Sequence, residues 1–511
     1  MPASPEPMTE IVPKALRARR LGIDTHQEAV VYMRADCPVC RAEGFNTHTR
    51  VRVRSRSAST IATINHVVSD LLGPLEVGLS EIAWERLAVS DGEEITFSHP
   101  APLDSLSLLR SKIYGNRFSG RSVAAIIDDI GAGRYSDIHL SSFITACAAR
   151  GLDNREMLEL TRAMVASGDR LEWGAGPVVD KHCIGGLPGN RTTPIIVSIV
   201  AACGLTMPKT SSRAITSPAG TADTMETMAP VDLDLPEMRR VVEREGGCVV
   251  WGGAVRLSPI DDTLIRIERA LDVDSEGQLV ASVLSKKTAA GSTHLVLDLP
   301  VGPTAKVRSE ADAERLEAAL AFVASSLGMK LVCVRSDGRQ PVGRGIGPAL
   351  EAHDVLAVLR NETDAPVDLR DRALALAGAL LELGATADEG TGVALAAQVL
   401  ADGRAWRKFQ AICEAQGGMR MPPVAAHRQV VTADRAGRIA SIDNRATAKA
   451  AKLAGAPAAK AAGLVLHVRL HQQVAEGEPL FTLHAETPGE LAYALDYVAT
   501  HPSAIAIEAI R

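Results

Sequence analysis

Aromatic side chains are scarce in this chain, at 3% of its 511 residues, whereas alanine, valine and leucine are plentiful. That composition argues against an all-β protein and favours helices packed on parallel strands. Few aromatic rings are present to stack on bases, and the formal net charge of −6 provides no basic field. We therefore expect no nucleic-acid partner.

Cysteine and long apolar runs are limited as well. Eight cysteines in 511 residues are too few for a disulfide scaffold and are typical of reduced thiols, so we expect a cytoplasmic protein. The longest apolar run, Pro194–Leu205, is interrupted by Ser198 and is shorter than the roughly 18 residues that a membrane helix needs. The N-terminus is proline-rich and then basic, without an apolar segment, so we expect neither a secretory signal nor a membrane partner.

Cys37 and Cys40 form a single Cys-x-x-Cys pair. A zinc site would need a second pair of ligands at matching spacing, and only His48 lies near in the sequence. We interpret the pair as two incidental thiols in a loop and expect no metal.

Hydropathy patterns predict an α/β protein of several domains, since the chain is too long for one core. Strand-like apolar runs alternate with helical periodicity after Pro177, which implies a central parallel or mixed sheet with right-handed crossovers. The predicted domains are a β-rich module over residues 1–100 with a helix at Ile61–Leu72, a small helical domain over 101–175 and about 256–290, a larger α/β domain over 176–255 and 291–420, and an α+β domain over 421–511.

A glycine-rich run, Asp180–Asn190, precedes the apolar segment Thr192–Leu205. A glycine loop that opens a buried helix presents bare backbone N–H groups at the positive end of the helix dipole, which suits a phosphate. Lys181 adds a full positive charge to the loop. The run therefore predicts a phosphate site.

Four further blocks carry polar side chains that suit a phosphorylated or sugar-bearing substrate. Hydroxyls and a guanidinium are natural partners of phosphate and sugar oxygens. The blocks are Lys209–Thr221 with six hydroxyls and Arg213, then Arg269 with Asp272 and Asp274, then Ser282–Lys287, and finally Asp298–Lys306.

In this order the blocks resemble the thymidine/pyrimidine-nucleoside phosphorylase family, closest to its longer branch of bacterial type 2 thymidine phosphorylases and archaeal AMP phosphorylases. Lys112–Gly115, Gly338–Pro348 and the tail from Ser441 resemble further family blocks, so the resemblance covers nearly the whole chain. It implies a C-terminal hammerhead-like domain and a site in the cleft between the helical and α/β domains. It also implies a homodimer or higher homo-oligomer.

The family reaction is phosphorolysis: phosphate attacks the anomeric carbon of a nucleoside or nucleoside monophosphate, and the base leaves. Inorganic phosphate is then a co-substrate, and no cofactor is expected. The resemblance implies phosphate ligands at Lys181, Cys183, Gly186, Thr193, Ser211 and Thr221, base contacts at Arg269, Ser282 and Lys286, and His182 facing sugar and base. In the AMP-type branch the nucleotide-binding positions are Gly186, Ser212, Arg213, Ala214, Ile215, Thr216, Ser217, Thr221, Ser282 and Lys306, with Asp274 as the proton donor. The catalytic candidates are thus Asp274, His182 and Lys181.

Cys183 departs from the family pattern, which has serine at this position. A thiol is a weaker hydrogen-bond donor than a hydroxyl, so we expect weaker phosphate binding. Beside Lys181 and a helix N-terminus, we also expect the thiol to be acidified and prone to oxidation. The same departure admits another class of function, a non-catalytic nucleotide or phosphate sensor.

Several residues have structural alternatives. Arg213 also suits an ion pair within the protein, His182 a structural hydrogen bond, and Asp274 an exposed acidic turn. Of the adjacent Lys286 and Lys287, one is expected to face solvent. Asp261–Asp262 suits the start of a helix, or the metal-binding pair of an anthranilate-type phosphoribosyltransferase, although the full-length resemblance argues against that reaction.

The substrate stays open between nucleoside and nucleotide. The hydroxyls around Arg213 suit a 5′-phosphate and favour a nucleoside monophosphate, whereas Arg269, Ser282 and Lys286 fit the edge of a pyrimidine.

Overall fold

The computed structural model describes residues 15–189, 191–214, 217–255, 257–273 and 275–509. The chain divides after Arg150 into two compact units. Within the described ranges, no helix combines the length and the apolar character needed to cross a bilayer.

The first unit begins with a closed β-barrel and ends with helices. Its strands are β1 (Ala15–Arg20), β2 (Val30–Arg34), β3 (Arg50–Arg54), β4 (Ser59–Val67), β5 (Glu76–Leu79) and β6 (Glu94–Ser98), arranged in the order β1-β5-β2-β4-β3-β6. Its helices are α1 (Pro38–Glu43), α2 (Glu81–Leu87), α3 (Ser105–Ile113), α4 (Gly120–Gly131) and α5 (Asp137–Arg150). Alternate strand residues such as Val31, Met33, Val51 and Val53 fill the barrel interior.

The helix predicted at Ile61–Leu72 is wrong, because most of this segment is strand β4. Ile61, Thr63, Ile64 and Val67 are β-branched and disfavour a helix. Strand β4 runs parallel to β2 and antiparallel to β3, so two neighbours satisfy its backbone groups. The apolar spacing of this segment fits either a helix or a strand, and pairing within the closed barrel makes it a strand.

The Cys37–Cys40 pair begins helix α1 and does not lie in a loop as predicted. The Cys37 Sγ accepts a hydrogen bond from the Cys40 N–H at 3.2 Å and thereby caps the helix. Both side chains are buried in the barrel core. Burial raises the pKa of both thiols, that of Cys40 to about 11. Their role here is packing and capping.

The second unit contains a parallel sheet flanked by helices. Its strands are β7 (Val179–Cys183), β8 (Met207–Ser211), β9 (Gly247–Trp251), β10 (His294–Val301) and β11 (Lys330–Asp337). Its helices are α6 (Asn154–Ala166), α7 (Thr192–Ala202), α8 (Thr221–Glu226), α9 (Leu235–Glu245), α10 (Pro259–Leu271), α11 (Glu276–Ala289), α12 (Glu310–Ser326), α13 (Pro348–Leu359), α14 (Val367–Leu383), α15 (Gly392–Ala401) and α16 (Arg404–Ala415), with a 3₁₀ turn at Gly252–Val255.

Strands β11, β10 and β7 pair in that order, and β8 pairs with β9, all in parallel. A parallel bridge between Val178 and Thr206 joins the two groups just before β7 and β8. Helix α7 is buried along its whole length against α14 and α16. The predicted α/β class is confirmed, and the predicted glycine-loop helix is α7.

The last part of the second unit is α+β, as predicted. Its elements are β12 (Gly345–Ile346), β13 (His427–Thr432), β14 (Gly437–Ile442), α17 (Asn444–Leu453), β15 (Gly463–Leu466), β16 (Gln473–Val474), β17 (Pro479–Ala485), α18 (Pro488–Thr500), a 3₁₀ turn at Pro502–Ala504, and β18 (Ile505–Glu508). They form two sheets, β12-β15-β17-β13 and β16-β14-β18. The finer domain boundaries drawn from the sequence stay predictions.

Candidate active site

Three of the predicted blocks meet at one edge of the parallel sheet. Lys181 and Cys183 lie on β7 itself, and the glycine loop begins only after that strand. Ser211 ends β8, and the segment before Lys306 follows β10. Because the carboxyl ends of parallel strands share an edge, the fold brings these blocks together there, the usual place for ligands in open α/β sheets.

Lys181 is a buried cation at this edge, with 1% of its surface exposed. Its Nζ lies 2.8 Å from the Thr192 Oγ1 and 3.5 Å from the Gly189 carbonyl oxygen. Among the described residues, no carboxylate oxygen lies within ion-pair distance of this Nζ. A buried ammonium held only by neutral oxygens is electrostatically unsatisfied, and an anion at the start of α7 would satisfy it.

Gly186 holds the glycine loop against the segment that follows β10. Its φ of +84° lies in the left-handed region. A Cβ at this position would overlap the backbone nitrogen of Lys306 and lie 3.0 Å from the Ala305 carbonyl carbon. Only glycine permits this approach, which places the exposed Lys306 beside the predicted phosphate loop.

The arginine block packs on the start of α8. A Cβ on Gly220 would lie 2.6 Å from the Ser212 carbonyl oxygen, so the loop and the helix start are in direct contact. The Asp223 carboxylate accepts from the Ala214 N–H at 2.6 Å and from the Gly220 N–H at 3.0 Å. This carboxylate fixes both ends of the loop that carries the predicted substrate-binding residues.

The Arg213 guanidinium is engaged within the protein. It donates two parallel hydrogen bonds to the Glu226 carboxylate, at 2.8 and 2.9 Å, and lies 4.9 Å from the centre of the Trp251 ring. Asp223 and Asp232 are also within ion-pair distance. The Arg213 contact lowers the pKa of Glu226 to about 2. Of the two roles predicted for Arg213, substrate binding and an ion pair within the protein, the structure shows the ion pair.

Cys183 is not the acidified thiol expected from the sequence. The residue is buried, and burial raises the pKa of its thiol to about 11. The Asp298 carboxylate contributes to this rise and outweighs the opposite effect of Lys181. The expectation of an oxidation-prone thiolate was wrong because the fold buries the thiol and places Asp298 of β10 beside it, neither of which the motif reveals.

A buried charge cluster that the sequence did not reveal lies behind His182. The Asp180 carboxylate is 3.0 Å from the Lys209 Nζ and 2.7 Å from the Lys287 Nζ, and the Lys209 Nζ also donates to the Lys181 carbonyl oxygen at 2.5 Å. Burial, and then the surrounding lysines, lower the pKa of His182 well below its usual value. His182 is thus a neutral imidazole that can donate or accept one hydrogen bond at each ring nitrogen.

The base-contact candidates lie on α10 and α11. Ser282 and Lys286 are one helical turn apart on α11 and half-buried, while Arg269 is exposed in the last turn of α10. Lys286 forms an ion pair with Asp261, and Lys287 is buried against Asp180. The expectation that one of these two lysines faces solvent was wrong, because each has a carboxylate partner from another element.

The remaining candidates fall into two groups. Thr193, Ser211 and Thr221 are buried, Ala214 and Ser217 are half-buried, and Ser212 is exposed. Asp274, Ile215 and Thr216 lie outside the described residues.

A metal site is not apparent in the described part of the chain, where no group of three or more His, Cys, Asp or Glu side chains is arranged to hold a metal ion. Asp261 and Asp262 begin helix α10, as one of the two alternatives predicted. Because Asp261 is paired with Lys286, this carboxylate is committed to a contact within the protein.

Three family models match the chain. They are described as "Glycosyl transferase family, helical bundle domain" over residues 106–168, "Glycosyl transferase family, a/b domain" over 175–406, and "Pyrimidine nucleoside phosphorylase C-terminal domain" over 438–503. Their order matches the predicted helical, α/β and C-terminal segments.

Relatives similar over nearly the full length carry one name, "Putative thymidine phosphorylase". The protein from Polaromonas sp. is 61% identical over 99% of both chains, and that from Maricaulis maris is 63% identical over 96% of this chain and 95% of its own. The Legionella pneumophila protein is 58% identical over 95% and 94%.

Among solved structures, anthranilate phosphoribosyltransferase from Thermus thermophilus is similar with a TM-score of 0.52 and 21% identity, covering 60% of this chain and 98% of its own. At that identity the likeness concerns the fold alone.

Proposed function

Because this chain belongs to the thymidine phosphorylase family, we propose that it is a pentosyltransferase that cleaves thymidine with inorganic phosphate, giving thymine and 2-deoxyribose 1-phosphate. One observation supports this most strongly: among the described residues, the polar groups that the buried Lys181 ammonium contacts are the Thr192 hydroxyl and the Gly189 carbonyl. A phosphate at the start of α7 would supply the missing negative charge.

The proposed chemistry needs a positioned nucleophile and a stabilised leaving group. Lys181 and the backbone N–H groups at the start of α7 would hold the phosphate dianion close to the anomeric carbon. As the glycosidic bond breaks, positive charge develops on the sugar, and the dianion stabilises it. The C–N electron pair leaves with the base, which needs a hydrogen-bond donor or a proton.

His182 is suited to donate to the leaving base or the sugar because it stays neutral near pH 7. A neutral imidazole donor also avoids adding a second cation beside an oxocarbenium-like sugar. By family resemblance, Asp274 would supply the proton, while Ser282, Lys286 and Arg269 would contact the base. Lys286 would then have to exchange or share its contact with Asp261 when substrate binds.

A nucleoside monophosphate is the second candidate substrate, and the product would then be ribose 1,5-bisphosphate when AMP is cleaved. The hydroxyl-rich segment around Ser211, Ser212 and Ser217 supports it. Since Glu226 already binds the Arg213 guanidinium, a 5′-phosphate would depend on hydroxyl and backbone groups of this loop and on Lys306.

Product analysis decides between the candidates. The purified protein is incubated with phosphate and, in turn, thymidine, uridine, AMP, CMP and UMP, and the released base and sugar phosphate are separated by chromatography. We expect thymine release that depends on phosphate. Release from AMP alone would favour the nucleotide substrate, and no release from any compound would contradict the enzyme and leave a phosphate or nucleotide sensor.

We further propose that the reaction needs no metal or organic cofactor, and that the protein is cytoplasmic and forms a homodimer or a larger homo-oligomer. Activity that survives extensive dialysis against a chelator would support a reaction without a metal or organic cofactor. Sedimentation analysis of the purified chain would test the assembly.

A further inference from the structure

Arg191 is fully buried where the glycine loop enters α7. A cation is poorly placed at a helix N-terminus, because the helix dipole is positive there. Burying a guanidinium is also costly unless carboxylates compensate it. Arg191 lies directly beside the predicted phosphate site, and its contacts within the protein compensate the free-energy cost of burying its charge there.

Two carboxylates of α13 surround the guanidinium. Its Nη2 lies 3.4 Å from the Glu351 Oε1, and its Nη1 lies 3.6 Å from the Asp354 Oδ2. Nη1 also donates to the Gly345 carbonyl oxygen. Both carboxylates are buried, so these interactions are little screened by water.

Asp354 extends the contact to the segment before β12. Its Oδ2 accepts from the Arg344 N–H at 2.6 Å and from the Gly345 N–H at 2.8 Å. A Cβ on Gly343 would lie 2.8 Å from this same oxygen and 3.1 Å from the Arg191 Cδ. The close approach leaves little room for the guanidinium to move.

The same segment returns to the glycine loop. The Val342 N–H donates to the Pro188 carbonyl oxygen at 2.7 Å, on the other side of the loop from Arg191. Arg191 and Val342 therefore attach the loop to one support, the segment from Val342 to Gly345, which Asp354 holds on α13.

The loop that Arg191 and Val342 hold in place also carries the two oxygens that contact the Lys181 ammonium. Gly189 and Thr192, whose oxygens lie beside the Lys181 Nζ, stand two residues before and one residue after Arg191 in the sequence. We propose that Arg191 is a positioning residue: by binding Glu351 and Asp354 it fixes the loop oxygens that aim the Lys181 ammonium at the phosphate. This inference rests on the proposed function for its ligand, inorganic phosphate.

The test compares phosphate affinity with nucleoside affinity. Arg191→Lys keeps the charge but loses the fork-shaped contact with two carboxylates and a carbonyl oxygen. We expect it to raise the Kd for inorganic phosphate, measured by calorimetry, and the KM for phosphate by about tenfold or more. The KM for thymidine should change by no more than about twofold, since the base contacts lie on other helices.

Asp354→Asn is the second variant and protects the test against a folding failure of the first. It is nearly isosteric and retains an oxygen for the backbone N–H groups, but it removes the negative charge and replaces the second oxygen with an NH2 group. The same rise in phosphate Kd is expected, and the double variant should lose less than the sum of the single effects because both act through one contact. Glu245→Gln, which breaks the Lys408–Glu245 pair between α9 and α16, is the matched control and should leave both KM values unchanged.

An unchanged phosphate Kd in folded Arg191→Lys and Asp354→Asn would overturn the inference. So would an equal rise in both KM values with a lowered Tm, since that is the signature of general destabilisation. If the wild-type protein binds phosphate but releases no base, the proposed function fails while weaker phosphate binding by the variants still supports the role of Arg191. If the wild-type protein binds no phosphate, both fail.

Discussion

The Lys181 Nζ lies 2.8 Å from the Thr192 Oγ1, and this contact joins the middle of β7 to the first residue of α7. The lysine is buried, and the described residues supply it no carboxylate. Within the described part of the chain its ammonium is held by neutral oxygens, which is a costly state for a protein without ligand and a favourable one for binding an anion.

Lys181→Met tests this relationship directly. We expect kcat/KM for phosphate to fall by about 100-fold or more, because a charge-assisted contact in a water-poor site contributes about 3 kcal/mol. The Tm should stay equal or rise, since an apolar side chain of similar length removes an uncompensated buried charge. Steady-state kinetics and calorimetric unfolding measure the two effects.

The control for that variant is Lys408→Met, which removes a lysine that pairs with Glu245 between α9 and α16. It should retain wild-type kinetics. A Lys181→Met protein with normal kcat/KM would show that the ammonium does not bind phosphate.

Cys183→Ser should improve the enzyme. A hydroxyl donates a stronger hydrogen bond than a buried thiol whose pKa is raised to about 11, so we expect the KM for phosphate to fall by about fivefold, corresponding to about 1 kcal/mol. Cys248→Ser, at a buried position on β9, should lower the Tm without lowering the KM. No gain from serine at position 183 in a stable protein would mean that this side chain does not reach the phosphate.

Gly186→Ala and Gly185→Ala form a matched pair. Both glycines have left-handed φ values, +84° and +92°, so alanine adds backbone strain of about 1 kcal/mol at each. Only at Gly186 would the new Cβ collide with the Lys306 backbone; at Gly185 it meets nothing within 4 Å. We expect Gly186→Ala to lose at least tenfold more kcat/KM than Gly185→Ala, and equal losses would argue against a required contact between the two loops.

His484 should make stability depend on pH. Burial, and then Arg428, His467 and His353, lower the pKa of this imidazole to about 4. The unfolded chain takes up a proton near pH 6.5 while the folded protein resists it, so stability is complete above that pH and is lost as the pH falls toward 4. We expect the free energy of unfolding to fall by about 1–2 kcal/mol between pH 7 and pH 5 through this group.

Denaturant unfolding of His484→Gln at both pH values checks this expectation. The variant should lose less stability on acidification than the wild type, whereas His501→Gln, at an exposed position in the same α+β segment, should behave as the wild type. If His484→Gln and the wild type lose the same stability on acidification, His484 is not the group responsible for the pH dependence.

The order and spacing of the motifs were enough to place the chain in its family and to predict a phosphate loop before α7. A glycine-rich stretch followed by an apolar segment is typical of a backbone loop that opens a buried helix, so the loop before α7 could be predicted from local sequence alone. Alternation of apolar strands and helices likewise predicted the parallel sheet. These are local properties of spacing and propensity. They failed at Ile61–Leu72, where β-branched residues and barrel closure outweighed apolar spacing.

Which charged side chains meet could not be predicted from the sequence and depends on the tertiary fold. Arg213 binds Glu226, Lys287 binds Asp180, Arg191 lies between Glu351 and Asp354, and Asp298 stands beside Cys183. Each partner comes from a different strand or helix, and no spacing along the chain encodes such an encounter. Because the charge of a buried group depends on these neighbours, the reactivity of Cys183 and the neutrality of His182 follow from the fold and not from the motif.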